Sequence, residues 1–244
     1  GKRAGAELIS IYGIDEMRGV SLDEQGAIRI GSLTSFSHIT RDPIIQKYIN
    51  VLGEAVDLVG GPQIRNAGTI GGNTCNGVTS ADSASTLFAW DAVIELTGEN
   101  GPRRVPIEEF YLAAGRVDLR PDELQTAILI PRESYENCFG HYIKYAMRNA
   151  MDIATLGVSC LVKLDGALVD DVSLAFGVAG PVPMRAYSAE AAIRGLPIRE
   201  AVQAIGKAAL EDVAPRDSWR ASKALRVQLV EELSGRALAE AARQ

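Results

Sequence analysis

Gly60-Gly61-Pro62-Gln63-Ile64-Arg65-Asn66-Ala67-Gly68-Thr69-Ile70-Gly71-Gly72-Asn73-Thr74-Cys75-Asn76-Gly77 decides how the rest of this chain is read. These eighteen residues hold six of its twenty-four glycines and almost no large side chain. Such a segment has too little apolar surface to build a core. It offers instead backbone N–H groups and positions free to take positive φ, which let a chain wrap closely around a ligand, typically an anion. Thr69, Asn73, Thr74 and Asn76 add neutral hydrogen-bonding groups, and Arg65 adds one charge. Two readings compete, a cofactor cradle and a glycine-rich surface turn; the length of the run and its few charges favour the cradle. It is not a Walker-type loop, since no Gly-Lys-Ser/Thr ends it, and it does not spell G-x-G-x-x-G between a strand and a helix.

Upstream, apolar residues recur at helical spacing over 44–59 (Ile45, Ile49, Leu52, Val56, Val59) and predict one helix that delivers the chain to the glycine run. Asp42-Pro43 opens it, with proline at a first-turn position where its missing N–H costs nothing. Thr34-Ser35 predicts the cap of a helical turn, and residues 7–11 and 27–31 read as strands flanking the polar connector Asp23-Glu24-Gln25-Gly26. Downstream, Ser80-Ala81-Asp82-Ser83 reads as the cap of a short helix through Phe88 and Trp90. A strand over 92–97, a turn over 98–101, a helical turn over 106–112 and a strand over Leu124–Ile130 follow, the last stopped by Pro131.

Residues 132–137 are polar and suit a linker, and a β-meander begins beyond them. Its strands are 139–146, the alternating set Val158, Cys160, Val162 and Leu164, and the set Val172, Leu174, Phe176 and Val178, with a hairpin signal at Asp165-Gly166. The intervening Ser173, Ala175 and Gly177 make a face that accepts something packed very close, a helix or a neighbouring domain. Pro181-Val182-Pro183 ends the meander, and helices are expected over 188–194, 198–210 and 218–242. The expectation is an α+β chain of two domains: an α/β unit over 1–135, then, over 136–244, a three-stranded antiparallel sheet covered by helices.

The 244 residues suffice for real cores in both. A net charge of −6 with no basic run argues against nucleic acid as the main partner, and no apolar run reaches transmembrane length. Cys75, Cys138 and Cys160 are scattered without C-x-x-C spacing, which implies a reducing, cytoplasmic setting and no cluster or zinc site on this chain. His38 and His141 have no ligand-like neighbours, so no metal ligands are expected.

Three blocks together, Gly61-Pro62-Gln63-Ile64-Arg65-Asn66, Thr69-Ile70-Gly71-Gly72-Asn73 and Ser80-Ala81-Asp82-Ser83, resemble the FAD-binding (medium) subunit of the molybdenum hydroxylases. Lys144-Tyr145-Ala146-Met147-Arg148-Asn149-Ala150-Met151-Asp152-Ile153, Leu174-Ala175-Phe176-Gly177-Val178-Ala179 and the segment 213–223 are most similar to the bacterial xanthine dehydrogenase type. The resemblance spans nearly the whole chain and implies an FAD-binding domain of PCMH type. It implies an electron-transfer flavoprotein, with a purine-like substrate oxidised at molybdopterin on a large partner subunit and 2Fe-2S clusters on a small one. FAD here would then reduce NAD or another acceptor, so no acid–base or nucleophile set is expected on this chain.

Residue by residue, the resemblance matches Thr69, Ile70, Gly71, Gly72 and Asn73 to the family's central FAD loop, whose backbone amides and Thr and Asn side chains contact the cofactor, and Val59 and Gly60 to positions just before it. It matches Asp82 to a carboxylate near the ribose–adenine portion; the residue alone also reads as a helix N-cap. Leu124 matches an apolar cofactor contact. Lys144 matches a lysine near the flavin, where its charge could stabilise the reduced anion; an exposed strand lysine is the other reading. Arg148 and Arg220 face partner subunits or the acceptor, or make surface salt bridges; Trp219 is expected as a core anchor and Cys75 as a small buried residue. The family begins with a strand, a helix and an Ala-Gly-Gly-Thr-type pyrophosphate loop, and Gly1 follows that element. This implies that roughly half the cradle is missing here and that the chain alone binds FAD weakly or not at all and is inactive. A stand-alone flavin oxidoreductase and a flavin-free scaffold or assembly subunit are the alternatives.

Overall fold

The computed structural model describes residues 7–243. In chain order the first part carries β1 (Val20–Leu22), β2 (Ile28–Gly31), α1 (Phe36–Ile39), α2 (Pro43–Tyr48), α3 (Asn50–Asp57), α4 (Pro62–Ala67), α5 (Ile70–Cys75) and α6 (Asp82–Ala89). Then come β3 (Val93–Gly98), β4 (Gly101–Pro106), α7 (Ile107–Phe110), β5 (Tyr111–Ala113), β6 (Arg116–Val117), β7 (Leu124–Ile130) and α8 (Arg132–Tyr135). The second part carries β8 (Phe139–Tyr145), β9 (Leu156–Asp165), β10 (Leu168–Gly177), β11 (Met184–Arg185), α9 (Tyr187–Ile193), α10 (Ile198–Ala209) and α11 (Lys223–Ala241).

The first sheet is wholly antiparallel in the order β1-β2-β7-β3-β4. The apolar run Leu-Gln-Thr-Ala-Ile-Leu-Ile puts β7 at its centre, where Ala127, Ile128, Leu129 and Ile130 are all buried. The connector Asp23 to Gly26 turns β1 into β2: the Asp23 carboxylate accepts the Gln25 and Ala27 amides, and Gly26 takes φ +83°. Helices α1, α3 and α6 cover one face, with Ile39, Leu52, Val56, Leu87 and Trp90 in one core.

The second sheet runs β11-β10-β9-β8. Its period-two alternation divides the side chains between two cores. Tyr142, Leu161 and Ala175 join the first core, where α6 lies against β9 and β10. Val158, Cys160, Val162, Val172, Leu174 and Phe176 face the other way and are covered by α9, α10 and α11. The close-packing face expected from Ser173, Ala175 and Gly177 therefore receives a helix, α6, at Ala175, with Ser85 Oγ 2.9 Å from Ser159 Oγ. The fold is α+β, antiparallel sheets with helices, as the sequence predicts.

Several local expectations are corrected. Residues 7–11 form no strand: Leu8 and Ile9 are exposed, so no apolar burial holds the segment against a sheet edge. The helix expected over 44–59 is two, broken at Ile49, whose φ −141° and ψ 45° are non-helical and whose side chain is fully buried. The glycine run is not loop throughout but holds α4 and α5. Residues 132–137 are more than a linker: α8 turns Tyr135 inward, where its hydroxyl donates to the Gly26 carbonyl. The second sheet has four strands, the short β11 pairing with β10 at Ala175 and Phe176. The last helix, expected over 218–242, runs Lys223–Ala241 with Ser222 as its cap. Trp219 is 76% exposed with Arg220 4.1 Å over its ring, so it anchors no core. Its segment is tied down from below by the buried Arg226, whose guanidinium donates to the Arg216, Ala221 and Thr155 carbonyls.

Candidate functional site

The glycine run is anchored at three points. Ser35 bridges to Thr69 and the Gly68 carbonyl accepts the Phe36 amide, fixing the entry to α5. Arg65 turns back on its own segment: Nη1 donates to the Val59 and Gly60 carbonyls at 3.2 Å, and Nε pairs with Asp57 at 3.1 Å. The one charge of the run is thus a clamp on Gly60, which takes φ +50°. Thr69 caps α5, its hydroxyl accepting the Gly72 amide at 3.1 Å.

The backbone donors of α5 are not free, contrary to what the glycine content suggests. Ile70 N donates to Thr34 O, Gly71 N to Ser32 O, Gly72 N to Thr69 Oγ1 and Asn73 N to Thr69 O. Three orphan donors of the helix start, at Ile70, Gly71 and Gly72, are thus satisfied inside the protein, and Asn73 makes the first bond of the helix itself. Backbone donors without a partner among the described residues include Gly60, Gly61 and Thr69. The two central glycines also differ. A Cβ on Gly71 would sit 2.5 Å from Ser32 Cβ, so Gly71 lets α5 pack on the end of β2. A Cβ on Gly72 would meet only Thr69 Oγ1, at 3.0 Å, and Gly72 is exposed. Ile70 is fully buried and serves the core.

From α5 the site extends to α6. Asn73 Oδ1 accepts from Ser83 Oγ at 2.6 Å, which leaves Asn73 Nδ2 without a partner among the described residues. Asp82 is not the cap of α6: the cap position is Ala81, and the Asp82 carboxylate points away from the helix amides. It accepts from Tyr142 Oη at 2.8 Å and from Lys144 Nζ at 2.8 Å, and Lys144 also donates to the Leu58 carbonyl at 3.0 Å. The Lys144 side chain is 8% exposed, so it is a buried ion-pair partner and not a solvated strand lysine. Burial raises the Asp82 pKa, against the pull of Lys144 and Tyr142.

On the far side of α5, Thr74 Oγ1 and Cys75 Sγ lie 2.8 and 2.9 Å from Gln125 Oε1. Burial pushes the Cys75 thiol up to about 11, so it stays protonated and inert. Leu124, next to Gln125, is 42% exposed. Two buried polar atoms here find no partner, Ser32 Oγ beneath Gly71 and Gln125 Nε2 beside α5. Next to Lys144, a cavity of about 660 Å³ is lined by Leu58, Gly60, Arg65, Lys144, Arg148 and Met151. Arg148 hydrogen-bonds within its own turn, to the Met151 carbonyl.

The structure thus gathers Val59, Gly60, Gly72, Asn73, Asp82 and Lys144 around one region, sets Leu124 at its edge, and turns Ile70 and Gly71 to packing. Sequence reading missed Tyr142, Ser83 and Arg65 as organisers. Strand alternation carries the signal for Tyr142, because residues 142 and 144 share a face of β8.

The family described as FAD binding domain in molybdopterin dehydrogenase matches residues 1–133, and the CO dehydrogenase flavoprotein C-terminal domain matches 141–241. The chain belongs to the FAD-binding subunits of the molybdenum hydroxylases. It is 41% identical, over 96% of its length and 80% of the relative's, to the xanthine dehydrogenase FAD-binding subunit of Escherichia coli. The carbon monoxide dehydrogenase medium chain of Hydrogenophaga pseudoflava is 29% identical over 95% of this chain and 80% of its own. A solved carbon monoxide dehydrogenase from that organism superposes with a TM-score of 0.87 at 30% identity, covering 93% of this chain and 79% of that one.

The open face over Gly72, the unpartnered Asn73 amide and the free Gly60 and Gly61 donors fit a large polar cofactor lying along α5. No helix among the described residues is long and apolar enough to cross a membrane.

Proposed function

We propose that this chain is the electron-transfer subunit of a molybdenum hydroxylase of xanthine dehydrogenase type, working in the cytoplasm between an iron–sulfur small subunit, a molybdopterin large subunit and NAD or another acceptor. The observation that carries the reading is the convergence of the glycine run, α6 and β8 on one site within a family of FAD-binding subunits. FAD, when bound, supplies the chemistry of taking up electrons and passing them on. This chain's residues bind and orient it. Gly60 and Gly61 offer amides and Asn73 its side-chain amide. Gly72 leaves room, Thr69, Ile70 and Gly71 hold α5 in place, Leu124 supplies an apolar contact, Val59 flanks the site, and Asp82 and Lys144 present a fixed polar pair. We place the boundary between the FAD-binding part, 1–135, and the C-terminal part, 136–244, in the segment after α8.

The native gene product, purified without chelators, should carry stoichiometric flavin, bring down iron- and molybdenum-containing partners, and have its flavin reduced by NADH where NAD is the acceptor. Gly72→Ala should fold with a stability change within about ±0.5 kcal/mol and lose roughly tenfold or more in FAD affinity, as a methyl group enters the cofactor's space. A colourless native product, or a Gly72→Ala protein with full flavin content, contradicts the reading.

A further inference from the structure

The family resemblance offers Lys144 as a positive charge near the flavin, and the structure gives it a different standing. Asp82 lies 2.8 Å from its ammonium, and the Leu58 carbonyl takes a second N–H at 3.0 Å. Two of the three ammonium donors are committed, and the charge is matched by a carboxylate as buried as itself. Seen from a ligand beyond the pair, the ammonium acts as part of a dipole, whose field falls off faster than that of a lone cation. What remains is one N–H, aimed by two fixed partners.

The second carboxylate oxygen is held by Tyr142. Its hydroxyl donates to Asp82 Oδ1 at 2.8 Å from a residue that is 6% exposed. Tyr142 and Lys144 are two apart on β8 and so reach α6 from the same strand face. Room for the phenol is built in: a Cβ on Gly157 of β9 would come 3.1 Å from Tyr142 Oη and 3.5 Å from its ring. Burial, reinforced by Asp82, keeps the phenol protonated, so it can only donate to the carboxylate. Without that bond, Asp82 would lose one of the two side chains that favour its ionised form against burial.

We propose that Tyr142 is a positioning residue of the cofactor site: by holding Asp82 as an ionised acceptor it keeps Lys144 both pinned and neutralised, so that the cofactor meets a directed donor and not a free charge. The inference rests on the FAD reading above. It deepens that reading by setting the balance of charge at the cofactor: the resemblance put Asp82 at the ribose–adenine portion and Lys144 at the flavin, whereas their 2.8 Å contact puts both at one part of it.

The test is the flavin midpoint potential of the native, flavin-loaded protein, measured against reference dyes at one pH. Asp82→Asn unmasks the Lys144 charge and favours the reduced flavin about tenfold, a positive shift of ~30 mV for a two-electron couple. Tyr142→Phe shifts it the same way by about threefold, ~14 mV. The same substitution in the Asp82→Asn background adds nothing, since Tyr142 acts through Asp82. A fold-stabilising tyrosine with no such role would lower thermal stability and leave the potential in place, and that result overturns the proposal, as does an equal shift in both backgrounds. Should Tyr142→Phe not accumulate as folded protein, the pair is tested by adding Lys144→Met to Asp82→Asn. Removing both charges restores the wild-type potential, and failure to restore it overturns the neutral-pair account. A wild-type protein without flavin overturns the FAD reading itself, whereas a flavin-loaded one indifferent to these changes overturns this inference alone.

Discussion

Arg103 shows how much one side chain can organise away from the cofactor site. Its Nε and Nη2 grip both oxygens of Glu123 at 2.7 and 2.8 Å, while Nη1 takes Asp118 Oδ2 at 2.7 Å and Nη2 the Asp118 carbonyl at 2.9 Å. The Arg120 amide adds a further bond to Glu123, which is 8% exposed. Such a fork favours the ionised carboxylate, and with Arg103 as the main cause the Glu123 carboxyl is held down to about 2. A carboxyl whose folded pKa lies below its unfolded value adds stability that is complete above the unfolded pKa and disappears as pH falls through the folded one. The window therefore runs from about 4.5 down to about 2. Urea midpoints measured across it should fall steeply in the wild type and less steeply in Glu123→Gln. Identical slopes would show that Glu123 is not linked to folding. Residue types alone could not announce this fork, because Arg103, Asp118 and Glu123 meet only after β4 and β7 are brought into one sheet.

Elements were legible in proportion to how local their causes are. Helices α10 and α11 follow from 3.6-residue periodicity, and β9 and β10 from alternation around Asp165-Gly166. Where a non-local contact decides, the pattern misleads: α4 and α5 form from glycine- and proline-rich sequence because Thr69 caps α5 and the Ser32 and Thr34 carbonyls after β2 accept its first amides, and no propensity reports that. In the site, the family resemblance pointed to Asp82 and Lys144 separately, but not to their contact, since they are sixty-two positions apart. The helix pair has a non-local contact of its own. A Cβ on Gly206 of α10 would fall 1.8 Å from the Glu231 carbonyl oxygen of α11, and one on Gly235 would fall 2.7 Å from the Val202 carbonyl oxygen. The two backbones touch there, so neither glycine is a helix defect. Gly206→Ala, which helix propensity alone would score as stabilising, should instead cost about 1–3 kcal/mol by forcing the helices apart. Thermal unfolding checks it, with an expected fall of ~2–4 °C per kcal/mol in a chain of this size. An unchanged or raised Tm would mean that α10 and α11 do not cross this closely.

At the scale of the molecule, the second sheet belongs to both cores. One face, through Tyr142, Leu161 and Ala175, is continuous with the core around Trp90; the other, through Val158, Leu174 and Phe176, is continuous with the core under α9, α10 and α11. Helix α6 is fixed to that sheet by the Ser85–Ser159 contact and by Asp82 on β8, and to the glycine run by Ser83. Losing the C-terminal helices would expose one face of β8, β9 and β10, and fraying those strands would strip α6 of its floor. The two cores share this sheet as a common wall, so neither keeps all its packing once the other is lost, and unfolding should be one cooperative transition. Trp219→Phe makes this readable, because it leaves Trp90, 1% exposed, as the only indole and a reporter of the first core, while far-UV circular dichroism reports both sheets and all the helices. In urea the two signals should trace the same curve with the same midpoint. If helical signal is lost while Trp90 fluorescence still reads native, the C-terminal helices unfold on their own. The shared sheet would then be a surface of contact between two independent units, and the geometry of the Asp82–Lys144 pair would depend on how firmly those units dock.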